Sequence, residues 1–213
     1  MIPSELAKQI LEEVPKLEGW QSPERGIEMA ELIFDNQVRF AVDIGTFGGR
    51  SSIPMALAMK HQIGSLKGLV LTIDPWRHES AQTGESAVNR EYWGRIPLEE
   101  IHQEFMAALR RLRLEEYLIP VRSRSMDVFT FFCGHVNLGT IDLLNIDGNH
   151  TETESFKDAS CWLQMVRAGG IIIADDLDWT VDGVPSTVKM REFIESQCDT
   201  IKCDGHYGIY KKR

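Results

Sequence analysis

Two short apolar runs that end in acid constrain the fold of this chain more than any other feature. The first is Ile141-Asp142-Leu143-Leu144-Asn145-Ile146, continuing into Asp147-Gly148-Asn149-His150. The second is Gly169-Gly170-Ile171-Ile172-Ile173-Ala174, continuing into Asp175-Asp176. Runs this short, mostly apolar and bounded by glycine and acid, read as buried parallel strands. An open α/β sheet carries its chemistry just beyond the carboxyl ends of such strands. As neighbours about 4.8 Å apart, the two strands bring Asp147, Asp175 and Asp176 into one small volume. Like charges that close repel strongly. A hard divalent cation such as Mg2+, bound by Asp147, Asp175 and Asp176, relieves that repulsion, and His150 stands beside it.

The rest of the chain alternates in the same way. Leu6, Ile10, Val14 and Leu17 mark a first helix over 4–17, and Ser22-Pro23 starts a second, giving an N-terminal helical cap over 1–37. Strands are expected at Val38–Ile44, Leu69–Ile73, Tyr117–Val121, Ile141–Ile146 and Ile171–Ala174. Helices are expected at Ser51–Lys60, Leu98–Leu112, Asp127–Cys133, Glu154–Val166 and Ser186–Ser196. Thr200–Cys203 and Tyr207–Tyr210 flank Asp204-Gly205-His206 as two terminal strands with a reversal between them. The polar stretch 75–95 is too long for an ordinary connection and reads as a lid or substrate loop. Strands separated by helices imply right-handed βαβ units in one α/β domain spanning 1–213.

Bulk properties narrow the partners. A net charge of −9 argues against nucleic acid and anionic membrane surfaces, which select clustered positive charge. Arg110-Arg111-Leu112-Arg113 is a short basic run that suits a helix C-terminus. The four cysteines form no CxxC pair and suit a reducing cytoplasm. No apolar stretch approaches the roughly 20 residues of a membrane span, and the N-terminus has no signal-peptide pattern.

The first strand ends in Asp43-Ile44-Gly45-Thr46-Phe47-Gly48-Gly49-Arg50-Ser51. Glycines there allow a tight turn and close ligand approach, and the next helix offers free N–H groups to an anion. The spacing is neither the GxGxxG of a dinucleotide fold nor a P-loop, which disfavours a nicotinamide oxidoreductase. The second strand ends in Asp74-Pro75-Trp76. An acid there can accept ribose hydroxyls, and an aromatic beyond it can cover an adenine.

With Asp43-x-Gly45-x-x-x-Gly49, Asp74, Asp147 and Asp175-Asp176 in this order, the chain resembles class I S-adenosylmethionine-dependent methyltransferases over nearly its whole length. Ile146-Asp147-Gly148-Asn149-His150 and Ala174-Asp175-Asp176-Leu177-Asp178-Trp179 resemble more narrowly the small-molecule O-methyltransferases of the catechol, macrocin and mycinamicin type. The resemblance implies a Rossmann-like fold: a seven-stranded, mostly parallel sheet of order 3-2-1-4-5-7-6, helices on both faces and the last strand antiparallel. It implies S-adenosylmethionine as cofactor, its methionine part near Gly45, Thr46 and Gly49, and its carboxylate at Ser51. It places the ribose on Asp74, the adenine beside Trp76 with Ser125 at its edge, and Asp43 in support of the turn or, through water, the ammonium group.

Methyl transfer from a sulfonium is an in-line displacement by a nucleophilic oxygen. Coordination to a cation lowers the pKa of an acceptor hydroxyl and positions it, and a neutral imidazole suits removal of its proton. His150 and Asp147 are therefore the catalytic candidates, with a hydroxylated small molecule as acceptor. Metal-independent O- or N-methylation with His150 as sole base, and cofactor binding without turnover, are the competing readings. Trp20 and Asp178-Trp179 read equally as pocket walls or packing residues, and the other five histidines receive no role. The N-terminal amphipathic helices offer a surface for a homo-oligomer.

Overall fold

The computed structural model describes residues 1–62 and 67–213. Helices α1 (Ser4–Glu13) and α2 (Pro23–Asp35) precede strand β1 (Phe40–Ile44). Then come α3 (Ser52–His61), β2 (Leu69–Ile73), α4 (His78–Ala81), α5 (Ala87–Arg95), α6 (Leu98–Arg111), β3 (Leu118–Val121) and α7 (Ser125–His135). The chain continues through β4 (Ile141–Ile146), α8 (Glu152–Trp162), β5 (Val166–Ala174), a two-stranded hairpin of β6 (Thr180–Val181) and β7 (Val184–Pro185), α9 (Val188–Gln197), β8 (Cys198–Cys203) and β9 (Gly208–Lys212). The main sheet has seven strands in the order β3-β2-β1-β4-β5-β9-β8. With the small hairpin set aside, this is the order 3-2-1-4-5-7-6 that the sequence implied.

Period-two burial builds the two sides of the sheet. Ala41, Leu143, Ile171 and Ile173 face a core shared with α1, α2, α3 and α6. Val42, Leu144, Ile172 and Ala174 face the other, with Phe132, Trp162 and Ile194 from α7, α8 and α9. Each fully buried aliphatic side chain of this kind contributes about 1.5–3 kcal/mol of transfer free energy. Helix α6 shows why these residues choose a helix. Leu98, Ile101, Phe105, Ala108 and Leu109 make one buried stripe, while Glu99, Glu100 and Arg110, Arg111 complement the dipole at its two ends. Helix α2 starts where Ser22 accepts the Arg25 N–H at 3.3 Å and Pro23 holds the first turn.

Register fixes the active edge. Ile44 pairs with Ile73 on one side and Ile146 on the other, and Ile146 pairs with Ala174. Gly45, Asp74, Asp147 and Asp175 therefore leave the sheet at one level. The N-terminal helices are fastened above them: Arg50 donates from Nε to Leu17 O at 2.8 Å and from Nη1 to Gln21 O at 2.9 Å.

Three elements differ from the sequence reading. The 75–95 stretch is largely helical, as α4 and α5, capped by Ser86 accepting from Asn89 N at 3.1 Å. No residue of either helix is buried, so no apolar period announces them. Strand β5 begins at Val166 rather than Ile171, and α8 ends at Trp162 in a short 3-10 turn. The early start carries a register shift against β4 between Ile141 and Leu143, so Gly169 and Gly170 sit within the strand. Among the described residues, no helix is long and apolar enough to cross a membrane.

Candidate active site

The level strand ends open into a cavity of about 930 Å³. The glycine turn (Gly45, Thr46, Phe47 and Gly48), Asp74 and Ser125 line it together with Asp147, His150, Asp175 and Asp176. Trp20, Tyr92 and Trp93 complete an aromatic side, Trp20 stacking on Phe47 at 5.0 Å between centroids. Non-glycine residues take left-handed backbone at three strand ends: Phe47 (φ 46°), Trp76 (φ 45°) and Asp176 (φ 51°). Such strain persists where the surroundings over-determine it, and it clusters at functional sites.

The glycine turn is held from below. Asp43 is fully buried, and burial pushes its carboxyl up despite bonds from Ser52, Asn145 and Ser51. Ser51 Oγ donates to Asp43 Oδ2 at 2.8 Å, and Asn145 Nδ2 to Oδ1 at 2.8 Å. Ser52 adds a third bond, and Thr46 pairs with Thr72. These bonds tie Asp43 to the start of α3 and to β4. Ser51, expected at a cofactor carboxylate, lines the cavity while its hydroxyl proton goes to Asp43. Gly45, with φ at 92°, lies where a Cβ would stand 1.8 Å from Asp147 O, so its freedom lets β1 meet β4. Gly49 is not among the residues that line the cavity; an added Cβ there would stand 2.5 Å from Phe105 Cδ2, so the glycine makes room for that ring.

Asp74 shapes the next wall. Its Oδ2 accepts Phe47 N at 2.9 Å and its Oδ1 accepts Trp76 N at 2.7 Å. Burial raises its carboxyl to about 6 against those bonds. Trp76 departs from expectation. It is 3% exposed, stacks at 5.9 Å on Phe105 and donates Nε1 to Phe47 O at 2.9 Å. The left-handed backbone at Trp76 turns the ring under the glycine turn, and Pro75 and Arg77 take its place on the cavity.

Ser125 opens α7 and donates to Asp158 on α8, so this hydroxyl too is engaged within the protein. Burial pushes the Asp158 carboxyl up to about 7, with the Ser125 bond opposing. A folded value above the ordinary 3.8 means that the native state holds this proton more tightly. That stability is complete below pH 4 and declines as pH rises toward 7, by up to about 4 kcal/mol. Asp158→Asn is expected to flatten this decline and to melt higher than the wild type at pH 8. Parallel slopes in thermal melts from pH 5 to 8 would contradict it.

At the acid-ended strands, His150 Nε2 lies 3.0 Å from Asp176 Oδ2. Burial pushes Asp176 up, but the His150 bond and the charges of His150 and His206 hold it below the ordinary range. Asp147 is pushed well above it, first by burial and then by Asp175, Asp176 and Asp43. Burial also raises Asp175, against the pull of Arg25, whose Nη2 stands 3.7 Å from Asp175 Oδ2. Among the described residues, no donor bonds the Asp147 side chain. The ligand-capable groupings are Asp147–His150–Asp176 and Asp175–Asp176–His206, with atoms in each within 4.8 Å of one another. The expected aspartate trio is thus divided, Asp176 belonging to both sets and Asp175 turning toward Arg25.

Sequence reasoning missed His206 and Arg25. His206 Nδ1 contacts Asp178 Oδ1 at 2.8 Å, and its Nε2 lies 3.8 Å from Asp176 Oδ1. The topology carries the signal: antiparallel β9 pairs Gly208 with Ala174, so the β8–β9 turn falls at the active edge. Trp179 proves to line the cavity, its ring 4.9 Å from that of His150. Asn149 ties the site to the α4 region, donating to Ser80 O at 3.2 Å and Thr83 O at 3.0 Å.

A family model described as a methyltransferase domain matches residues 42–177, which include the glycine turn and both acid-ended strands. The chain belongs to this methyltransferase family, and its fold is that of the class I, S-adenosylmethionine-dependent enzymes. Solved structures agree on the fold. An O-methyltransferase from Bacillus cereus in complex with SAH is 16% identical, with TM-score 0.65, covering 100% of this chain and 93% of its own. The O-methyltransferase TomG from Streptomyces achromogenes, involved in tomaymycin synthesis and in complex with SAM, is 15% identical with TM-score 0.66, covering 99% and 91%. SAH-bound PaMTH1 from Podospora anserina is 12% identical with TM-score 0.63, covering 100% and 89%. No curated protein matches the sequence.

Proposed function

We infer that this protein transfers the methyl group of S-adenosylmethionine to a hydroxyl of a small molecule, with a divalent cation assisting. The observation that carries the reading is one cavity joining the glycine turn and Asp74 to Asp147, His150 and Asp176. The nucleoside cofactor is assigned to the glycine turn and Asp74, and the acceptor to Asp147, His150 and Asp176. The B. cereus and S. achromogenes structures, with SAH and SAM bound, support the cofactor.

The chain's own groups then divide the work. Asp74 keeps further lone pairs for ribose hydroxyls, and the glycines of the turn let the amino-acid part approach the backbone closely. His150, with Nε2 at Asp176, has Nδ1 left to take the acceptor proton, the arrangement in which a carboxylate sets the tautomer of a base. As the oxygen attacks, the carbon–sulfur electron pair returns to sulfur and the proton passes to His150. The crowded, desolvated carboxylates of Asp147 and Asp176 fit a hard dication, since its charge offsets the repulsion that raises Asp147. Bound there, the cation would supply Lewis acidity to the acceptor hydroxyl.

Calorimetry tests both halves. S-adenosylhomocysteine is expected to bind the full chain, and added Mg2+ to release heat that EDTA reverses and that Asp147→Ala lacks. Absence of nucleoside binding would sink the cofactor assignment, and identical Mg2+ titrations of wild type and variant would remove the cation.

A further inference from the structure

Arg25 is a buried cation on the wall of this cavity whose donors are largely unspent. Its side chain is 9% exposed, and Nε and Nη2 have no hydrogen-bond partner. Only Nη1 is engaged, donating to Glu28 Oε2 at 3.2 Å. A buried charged donor left without a hydrogen-bond partner is costlier than a neutral one, so a native site that keeps one calls for a missing partner. The acid facing Nη2, Asp175, is beyond hydrogen-bond reach at 3.7 Å. Glu28 is shared, receiving Lys202 Nζ at 2.8 Å and the Tyr207 hydroxyl at 2.6 Å. Neither carboxylate is therefore dedicated to Arg25.

The guanidinium is also held in place. Its Cζ lies 3.0 Å from the Tyr207 ring centroid, a stacking that fixes the plane while leaving edge N–H groups to receive a ligand. Nε and Nη2 form one edge of the fork, the geometry that receives two oxygens of a carboxylate.

We propose that Arg25 receives a carboxylate of the acceptor, so that the substrate is an acid carrying its reactive hydroxyl at the opposite end. The proposal rests on the methyltransferase reading only for the word acceptor; the anion site itself stands on Arg25. The probes are 3,4-dihydroxybenzoate and catechol, which share the hydroxyls and differ in the carboxylate. They are titrated calorimetrically into full-length protein with Mg2+, with and without S-adenosylhomocysteine.

The wild type is expected to bind the carboxylate probe at least tenfold more tightly than catechol. Arg25→Met is expected to erase that preference and Arg25→Lys to retain part of it, a lysine offering charge without the fork. Melting curves confirm that each variant folds, and the wild-type pair alone is decisive where one does not. Equal affinities in the wild type, no binding of the carboxylate probe, or a preference that survives Arg25→Met would each overturn the proposal. If the preference holds while S-adenosylhomocysteine fails to bind, the methyltransferase reading falls and the anion site stands. If the nucleoside binds and the preference is absent, the reverse holds.

Discussion

Asp147→Asn is expected to lower kcat by about 10³-fold, the scale of losing one preorganised electrostatic group at a reacting centre, while S-adenosylhomocysteine affinity stays within about twofold. Asparagine keeps the volume and removes the charge, so orientation of the backbone is untouched and the acceptor end alone is altered. Asp147 leaves β4 level with Gly45, so its carboxylate stands between the two halves of the cavity. The same substitution is expected to raise the melting temperature in metal-free buffer. Burial and the charges of Asp175, Asp176 and Asp43 all raise Asp147, so its ionised form is disfavoured in the folded chain. A gain in stability with a loss of turnover is the signature of a residue retained for chemistry at a cost in stability. Single-turnover rates and melts on one preparation measure both. A variant above a tenth of wild-type turnover, or one that melts lower, would count against this role.

The sequence read the sheet well because its signals are local and periodic. Short apolar runs ending in Asp43, Asp74, Asp147 and Asp175 announced strands whose ends share one edge, and the register bears that out. Directions of individual side chains were less legible. Ser51 and Ser125 lie where the family pattern puts ligand contacts, yet each donates its proton to a buried aspartate. Hydrogen-bond competition of that kind is a tertiary fact. Trp76 turned inward because of one left-handed residue that a list of residue types does not reveal. His206 and Arg25 are far from Asp175 in sequence and meet it only after β9 and α2 pack. The helices of 75–95 lack a buried stripe, so periodicity had nothing to read.

Gly45→Ala is expected to destabilise the protein by about 3 kcal/mol or more, combining a strained left-handed backbone with overpacking. At roughly 2–4 °C per kcal/mol for a chain of this size, the melting temperature should fall by about 10 °C. Two features make this glycine unusually intolerant. Its φ is 92°, and an added Cβ would stand 1.8 Å from the Asp147 carbonyl oxygen and 2.4 Å from its carbon. Those are backbone atoms of the neighbouring strand end, which no rotamer change can withdraw. Relief requires β1 and β4 to part at the edge where the cofactor turn meets the catalytic acid. Nucleoside affinity should therefore fall together with stability, even at temperatures where the variant remains folded. Gly134→Ala is the matched control. Gly134 lies within α7, and a Cβ there would meet nothing within 4 Å. Alanine exceeds glycine in helix propensity by up to about 1 kcal/mol, so the control should melt at or above the wild type. If the two variants melted alike, the approach of the two strand ends at Gly45 would not be what holds the halves of this site together.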